Sequence, residues 1–366
     1  MTLGRRGDVW GRTPLSLEAE LSRWENEGGA DDDHNPALVS RDAFSVHPLP
    51  PFGLDLTVWA LRRRSGNAID TWDGTSFRRA LTFDDATVGI SVADVGRAEH
   101  PHLVIAADRG AARRAVDADV RASLERMLGL HVDLSAFYRM AADDALIDPL
   151  VARFRGVRPP RFPTVFEALL NAVACQQLSL ESGLSLLNRL AAAYGAPAFI
   201  DGIPIHAFPS PDDLAGLAPQ ALRGLGFSFR KAVTIIAISR AIVTGRLDLE
   251  GFAGMSDEDV VSILTELRGI GRWSAEYVLL RGLGRLHVFP GDDVGARKNL
   301  ARWLGVGSLV DYAAVARTVA RWQPYAGMVY FHLLLDGLSA AGELDRARDL
   351  RSRSSRAASG RTSGHM

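Results

Sequence analysis

Leu267-Arg268-Gly269-Ile270-Gly271-Arg272 lies between two stretches whose apolar spacing predicts helices. Two glycines two residues apart permit a tight helix–helix turn and leave backbone N–H groups bare at the start of the second helix. Such groups, at the positive end of a helix dipole, bind phosphate without regard to base sequence. Any helical hairpin that needs glycine would carry the same turn, so its neighbours decide the chemistry. Trp273 and Tyr277 are spaced i, i+4 and share one face of the second helix, in the turn just past the phosphate site. Adjacent aromatics commonly build a core, but here they are also placed to receive a base turned out of a duplex. Twenty residues after Trp273, Asp292-Asp293 opens a further helix expected over Val294 to Leu304. A carboxylate there is either a helix cap or a fixed negative charge. Fixed negative charge at such a site would stabilise positive charge that develops on a neighbouring reactant.

The elements that must hold these residues fall into two kinds. Short alternating runs at Leu54 to Leu61, Asn67 to Trp72, Ser76 to Phe83, Ala86 to Val92 and His102 to Ala107 read as strands, separated by turn signals such as Ser65-Gly66-Asn67 and Asp73-Gly74. Residues Asp117 to Leu128 recur apolar at helical spacing, so 45–130 is expected to form an antiparallel sheet with helices on one face. From residue 131 nearly everything reads as helix. Phe162-Pro163-Thr164 starts a helix expected over Val165 to Leu178. Asp212 to Leu217, Gln220 to Leu225 and Arg230 to Thr244 follow. Ser256-Asp257-Glu258-Asp259 caps another, and Val315 to Trp322 and Met328 to Leu338 close the fold. Residues 1–44 read as a Gly- and acid-rich mobile leader, and 346–366 as an Arg- and Ser-rich tail whose last residues could be a cloning scar.

Composition narrows the classes. The 366 residues are 47% hydrophobic and 23% charged with a formal charge of −1, enough for two or more domains with a substantial core. No apolar run approaches membrane-spanning length and no signal core precedes Pro14, so neither a membrane nor an exported protein is expected. One cysteine, Cys175, excludes an intrachain disulfide, a cysteine zinc site and an iron–sulfur cluster. Lysine occurs only at Lys231 and Lys298. Charge runs from −7 over residues 1–150 to +2 over 151–350 and +4 over the last sixteen, which leaves room for a local basic patch in the C-terminal half.

The stretch from Leu267 to Arg297 resembles the helix-hairpin-helix, Gly/Pro-rich loop and aspartate signature (HhH-GPD) of base-excision DNA glycosylases. Leu-x-Gly-Ile-Gly-x-Trp-Ser-Ala-x-Tyr, Leu-Arg-Gly and Phe-Pro-x-Asp-Asp is similar to the version found in bacterial 3-methyladenine DNA glycosylase II. Arg161 to Glu167, Cys175 to Ser179, Leu222 to Arg246 and Arg321 to Tyr325 extend the likeness over about residues 45–345. The fold it implies is α+β: a TATA-binding-protein-like antiparallel sheet domain at 45–130, then two all-α domains at 131–345 carrying the HhH-GPD motif at 256–304. The resemblance makes Asp293 the catalytic carboxylate and Trp273 and Tyr277 the base pocket. It gives Gly269, Gly271 and Arg272 to DNA phosphate, and a wedge into the duplex to Gln177 or Leu178. It also implies a structural monovalent cation, Na⁺ or K⁺, held by the main-chain carbonyls of Thr265, Leu267 and Ile270, and no further cofactor. A pocket tryptophan of the family is replaced by Leu334.

The resemblance implies a monofunctional enzyme that releases N-alkylated purines from double-stranded DNA, acting as a monomer in the cytoplasm at the nucleoid. A desolvated aromatic pocket attracts a cationic methylated base by about 1–2 kcal/mol. Lyase members of the superfamily carry an amine where Trp273 stands, and neither lysine is there. Two alternatives stay open: a glycosylase for deaminated or oxidised bases, and a non-catalytic hairpin protein that binds DNA. Among other residues, Arg62-Arg63-Arg64 reads as solvated charge at a strand end, Asp292 as a cap, Cys175 as buried and structural, and His332 as a core histidine.

Overall fold

The computed structural model describes residues 43–84, 86–108, 116–308 and 311–344. The leader up to residue 42 and the tail from 345 lie outside these. Five strands form one antiparallel sheet in the order β1-β5-β4-β3-β2, from β1 (Ala43–Val46), β2 (Thr71–Trp72), β3 (Ser76–Phe83), β4 (Ala86–Asp94) and β5 (Leu103–Asp108). The central β3–β4 hairpin runs in register from Ser76↔Ala93 to Phe83↔Ala86. Its inward residues Phe77, Val88, Ile90 and Val92 are fully buried, as alternation on a half-covered sheet requires.

Leu54 to Leu61, expected as a strand, is a helix, α1 (Leu54–Arg62). The Leu-Asp-Leu-Thr-Val alternation imitates a strand, but the segment is enclosed on almost every side, so its burial carries no period to read. α1 packs against the last of the described helices and against α2 (Asp117–Leu128). The strand expected over Asn67 to Trp72 shrinks to two residues, because the Asn67 side chain accepts the Ile69 and Asp70 N–H groups and folds the segment into a turn.

Helices α3 (Ser135–Ala142) and α4 (Asp148–Arg153) lead to α5 (Val165–Cys175), α6 (Leu180–Tyr194), α7 (Pro211–Ala215), α8 (Pro219–Gly224) and α9 (Phe229–Val243). Then come α10 (Asp257–Glu266), α11 (Arg272–Arg281), α12 (Val294–Leu304), α13 (Tyr312–Val319) and α14 (Ala326–Ala340). Thr164, Ser228 and Ser256 cap α5, α9 and α10 through their hydroxyls. One strand pair interrupts this helical run, contrary to expectation: β6 (Pro197–Ile200) and β7 (Ile203–His206) turn at Asp201-Gly202, both at positive φ. β6 presses onto β4 so closely that a Cβ at Gly89 would stand 2.0 Å from the Phe199 carbonyl oxygen. No local periodicity reports such a contact.

A small hydrophobic cluster, Ala80, Ala198 and Ala207, lies between the sheet and the β6–β7 pair, and one large cluster runs from Val46 to Leu344. Its main polar inclusion joins sheet to helix: Arg79 of β3 donates to Asp70 (2.6 Å) and to Glu167 of α5 (2.5 Å), all three nearly inaccessible. Burial opposes the Arg79 charge, but the two carboxylates more than offset it and hold its pKa above the ordinary value. α5, the most apolar helix of this group, packs on α6, α9 and α11 and so sets the floor under the glycine hairpin. Among the described residues no helix is long and apolar enough to cross a membrane.

Candidate active site at the glycine hairpin

α10 and α11 pack as an antiparallel hairpin closed by Leu267 to Gly271. Gly269 has φ +93°, and a Cβ there would sit 2.7 Å from Thr234 Oγ1, so both conformation and space demand glycine. Thr234 of α9 donates to the Arg268 carbonyl (3.0 Å), and Gln176 Nε2 donates to the Gly269 carbonyl (3.0 Å) and Ser274 Oγ (2.9 Å). These bonds clamp the turn by its carbonyls. α11 begins after its N-cap Gly271 with no side-chain cap on the N–H groups of its first turn.

The same clamp orders the loop after α5. Lys231 Nζ donates to the Ala174 and Gln176 carbonyls, both at 2.8 Å. Gln177 next to it takes a left-handed φ of +55°, and Gln177 and Leu178 project into solvent, Leu178 at 45% exposure. The sequence reading assigned Gln176 and Lys231 no part in holding the turn. The Gln176-Gln177 pair following a helix end was the one signal that could have marked the loop.

Asp293, not Asp292, is the N-cap of α12. Its Oδ1 accepts from the Ala296 N–H (2.8 Å) and its Oδ2 from Trp273 Nε1 (3.2 Å). A carboxylate gripped at both oxygens has one orientation, and each oxygen keeps a lone pair for another partner. The cap reading of this carboxylate holds, and the indole bond fixes its second oxygen as well. Asp292 instead pairs with Arg272, whose Nη2 stands 2.7 Å from its Oδ2. Arg272 also stacks on Tyr312 with 3.8 Å from guanidinium carbon to ring centroid. This engages the side chain assigned to phosphate, although about half of its surface stays exposed. Tyr312 in turn donates to Glu276 (2.7 Å), whose other oxygen accepts from the Gly291 N–H (3.2 Å). Burial raises the Glu276 carboxyl and, with the Glu276 hydrogen bond, pushes the Tyr312 phenol up to about 12. This pair, absent from the sequence reading, fixes the loop that delivers Asp293.

Trp273 and Tyr277 do meet, with ring centroids 5.7 Å apart and planes at 42°. Trp273 is half-buried at the rim, whereas Tyr277 is 3% exposed. Its hydroxyl accepts a 2.7 Å hydrogen bond from Arg63 Nη1. Arg62 and Arg63, expected in solvent, are interior: α1 ends inside the protein, and Arg63 adopts φ +65°, a left-handed conformation arginine rarely takes. Cys175 is half-buried, with burial pushing its thiol up. His332 is a core histidine, bonded through Nδ1 to the Met328 carbonyl (2.8 Å) and lowered by burial to about 4. Leu334 is partly buried on α14 and packs against the core.

For the cation, Thr265, Leu267 and Ile270 bracket the C-terminal end of α10, where helix carbonyls carry partial negative charge. Three uncharged hard oxygens suit Na⁺ or K⁺, and the Leu267 carbonyl, which accepts from the Ile270 N–H (3.0 Å), keeps a second lone pair. The donor set fits. Among the described residues no cluster of His, Cys, Asp and Glu could hold another metal.

An antiparallel sheet, a clamped glycine hairpin and a capping aspartate bonded to the hairpin tryptophan together define a helix-hairpin-helix fold with a carboxylate site. Residues 170–324 match the model of the HhH-GPD superfamily base excision DNA repair protein. The chain is 36% identical over 163 residues to the DNA-3-methyladenine glycosylase of Bacillus subtilis, covering 44% of this chain and 54% of that protein. It is 26% identical over 292 residues to DNA-3-methyladenine glycosylase 2 of Escherichia coli, covering 79% and 96%. The solved 3-methyladenine DNA glycosylase of Archaeoglobus fulgidus superposes with a TM-score of 0.71 at 25% identity, covering 80% of this chain and 97% of that one. The chain spans about half the length of the first curated relatives it matches.

Proposed function

We propose that this chain is a monofunctional DNA glycosylase of base-excision repair, releasing N-alkylated purines from double-stranded DNA at the nucleoid. The observation that carries the reading is the 3.2 Å bond between Trp273 Nε1 and Asp293 Oδ2, which ties the carboxylate to the hairpin that holds the DNA. The names of its relatives support the same activity.

The backbone N–H groups of Gly271 and Arg272 take a phosphate at the start of α11, with Gly269 giving the turn its room. Thr265, Leu267 and Ile270 would hold the monovalent cation, which supplies positive charge beside that phosphate. Leu178, apolar and exposed, is the better suited of the two wedge residues, with Gln177 shaping the loop. Trp273 stacks on the flipped base. Water attacks C1′, the C1′–N bond breaks with its electron pair going to the base, and Asp293 stabilises the cationic sugar and takes up the proton of the water. A base alkylated on a ring nitrogen leaves as a neutral molecule, so it needs little further help.

The test is incubation with duplex DNA carrying 3-methyladenine or 7-methylguanine, assayed for free base and for the strand. The expected result is released base and a strand that breaks only after hot alkali, with no borohydride-trapped adduct, since the indole of Trp273 forms no imine. Trapping of the wild-type protein would overturn the monofunctional assignment. Absence of base release from every lesion would favour a non-catalytic DNA-binding protein.

A further inference from the structure

Lys231 and Thr234 stand three residues apart on one face of α9 and grip two separate loops. Thr234 Oγ1 donates to the Arg268 carbonyl of the glycine hairpin (3.0 Å). Lys231 Nζ donates to the Ala174 and Gln176 carbonyls at the end of α5, each at 2.8 Å. Gln176 closes the triangle, because its Nε2 donates to the Gly269 carbonyl (3.0 Å) and to Ser274 Oγ of α11 (2.9 Å). The end of α5, the hairpin turn and the first turn of α11 are thus tied to one another and to one helix.

The loop held in this way is short. Only Gln176, Gln177 and Leu178 separate α5 from Ser179, the N-cap of α6. On its other side α6 presses in, since a Cβ at Gly183 would stand 2.6 Å from Cys175 Sγ. Gln177, at φ +55°, takes a backbone conformation that a side chain-bearing residue keeps only where its surroundings over-determine it. Gln177 and Leu178 alone project from this frame, both exposed. Lys231 is partly buried and, among the described residues, pairs with no carboxylate. Its charge is met by carbonyls at the negative end of α5. Hydrogen bonds from a charged donor are stronger than neutral ones, so this arm of the frame is the stiffest.

Taking a base out of a duplex requires a grip on the backbone and a side chain that fills the gap, while unpairing and unstacking oppose both. A tip that moves freely against the hairpin must be ordered in each encounter, and that loss subtracts from what binding contributes to opening the stack. Resting on the glycosylase reading, we propose that Lys231 is a positioning residue for base extrusion. It locks the Gln177-Leu178 tip to the glycine hairpin, so that wedge and phosphate grip enter the duplex as one rigid piece. It has no part in breaking the C1′–N bond.

The experiment measures single-turnover release of 7-methylguanine from two duplexes by wild type, Lys231→Met and Lys231→Arg. In one duplex the lesion pairs with cytosine. In the other it lies opposite an abasic analogue, where no pairing opposes extrusion. Lys231→Met should slow release from the paired lesion by about tenfold or more and from the unpaired lesion by less than about threefold. Lys231→Arg keeps a charged donor and should restore most of the paired rate. Equal slowing on both duplexes overturns the proposal in favour of a residue that only supports the fold or the chemistry, and unchanged rates overturn it too. A 2-aminopurine beside the lesion brightens as the stack opens, and so reads this step without base release. Its brightening should be smaller with Lys231→Met than with wild type. Equal brightening overturns the proposal even where wild type releases no base, an outcome that separately overturns the glycosylase reading. Should Lys231→Met fail to fold, as a thermal melt would show, Gln176→Met removes the other arm of the frame and carries the same two-duplex expectation.

Discussion

The rim of the site and the interior behind it both carry charge, and they hold it in opposite ways. At the rim, Asp293 is partly exposed and satisfied locally, by the first turn of its own helix and by one indole N–H. Behind it, Arg79, Arg63 and Arg281 are enclosed, and each has a partner on a different element: Arg79 on Glu167 of α5, Arg63 on Tyr277 of α11, Arg281 on the end of α1. A local cap survives small movements of the fold. A buried charge depends on the whole packing, because nothing else replaces water around it. The rim should therefore be functionally fragile and thermodynamically tolerant, and the interior the reverse.

The sharpest way to break that contrast is Arg79→Met. It strands Asp70 and Glu167 in the interior, and stability should fall by about 3–5 kcal/mol. Denaturant melts measure it, and a loss under about 1 kcal/mol would mean that water reaches the triad. Asp293→Asn tests the rim. Asparagine caps a helix as well as aspartate does, so stability should change little while base release drops by about 10²–10³-fold or more. A variant that melts early would show that the carboxylate is structural first. Asp293→Ala, lacking the cap, should cost about 1 kcal/mol of stability in addition.

A third test uses pH on the interior. His332 is held neutral with its pKa lowered by burial to about 4, so the unfolded chain binds a proton more readily between that value and about 6.5. Its contribution to stability is thus complete near pH 7 and lost as pH falls through that window, by about 3 kcal/mol at pH 4. His332→Leu should flatten this part of the stability curve. If the slope is the same in both proteins, the acid sensitivity belongs to the carboxylates.

What could be read in the chain follows the range of the interactions. The strands Ser76 to Phe83 and Ala86 to Val92, the caps at Thr164 and Ser256 and the hairpin glycines are set by neighbours within a few residues, and each is where the spacing put it. α1 was misread because its alternation is local and its enclosure is not. The β6–β7 strands were missed because what holds them is their seat on β4 at Gly89. Arg63 was read as solvated charge because three consecutive arginines ordinarily are, and only the packing of α1 against α14 carries its end indoors.

By itself the sequence determined the Gly269-Ile270-Gly271 turn, the shared face of Trp273 and Tyr277 and an aspartate at the head of α12, since helix geometry and backbone freedom act over one or two turns. Only the tertiary structure decided which aspartate faces the tryptophan and that Tyr277 is closed off. It alone decided that Arg63 and Arg281 stand charged behind the site, because burial is made by elements distant in the chain and no residue records its own solvent exposure.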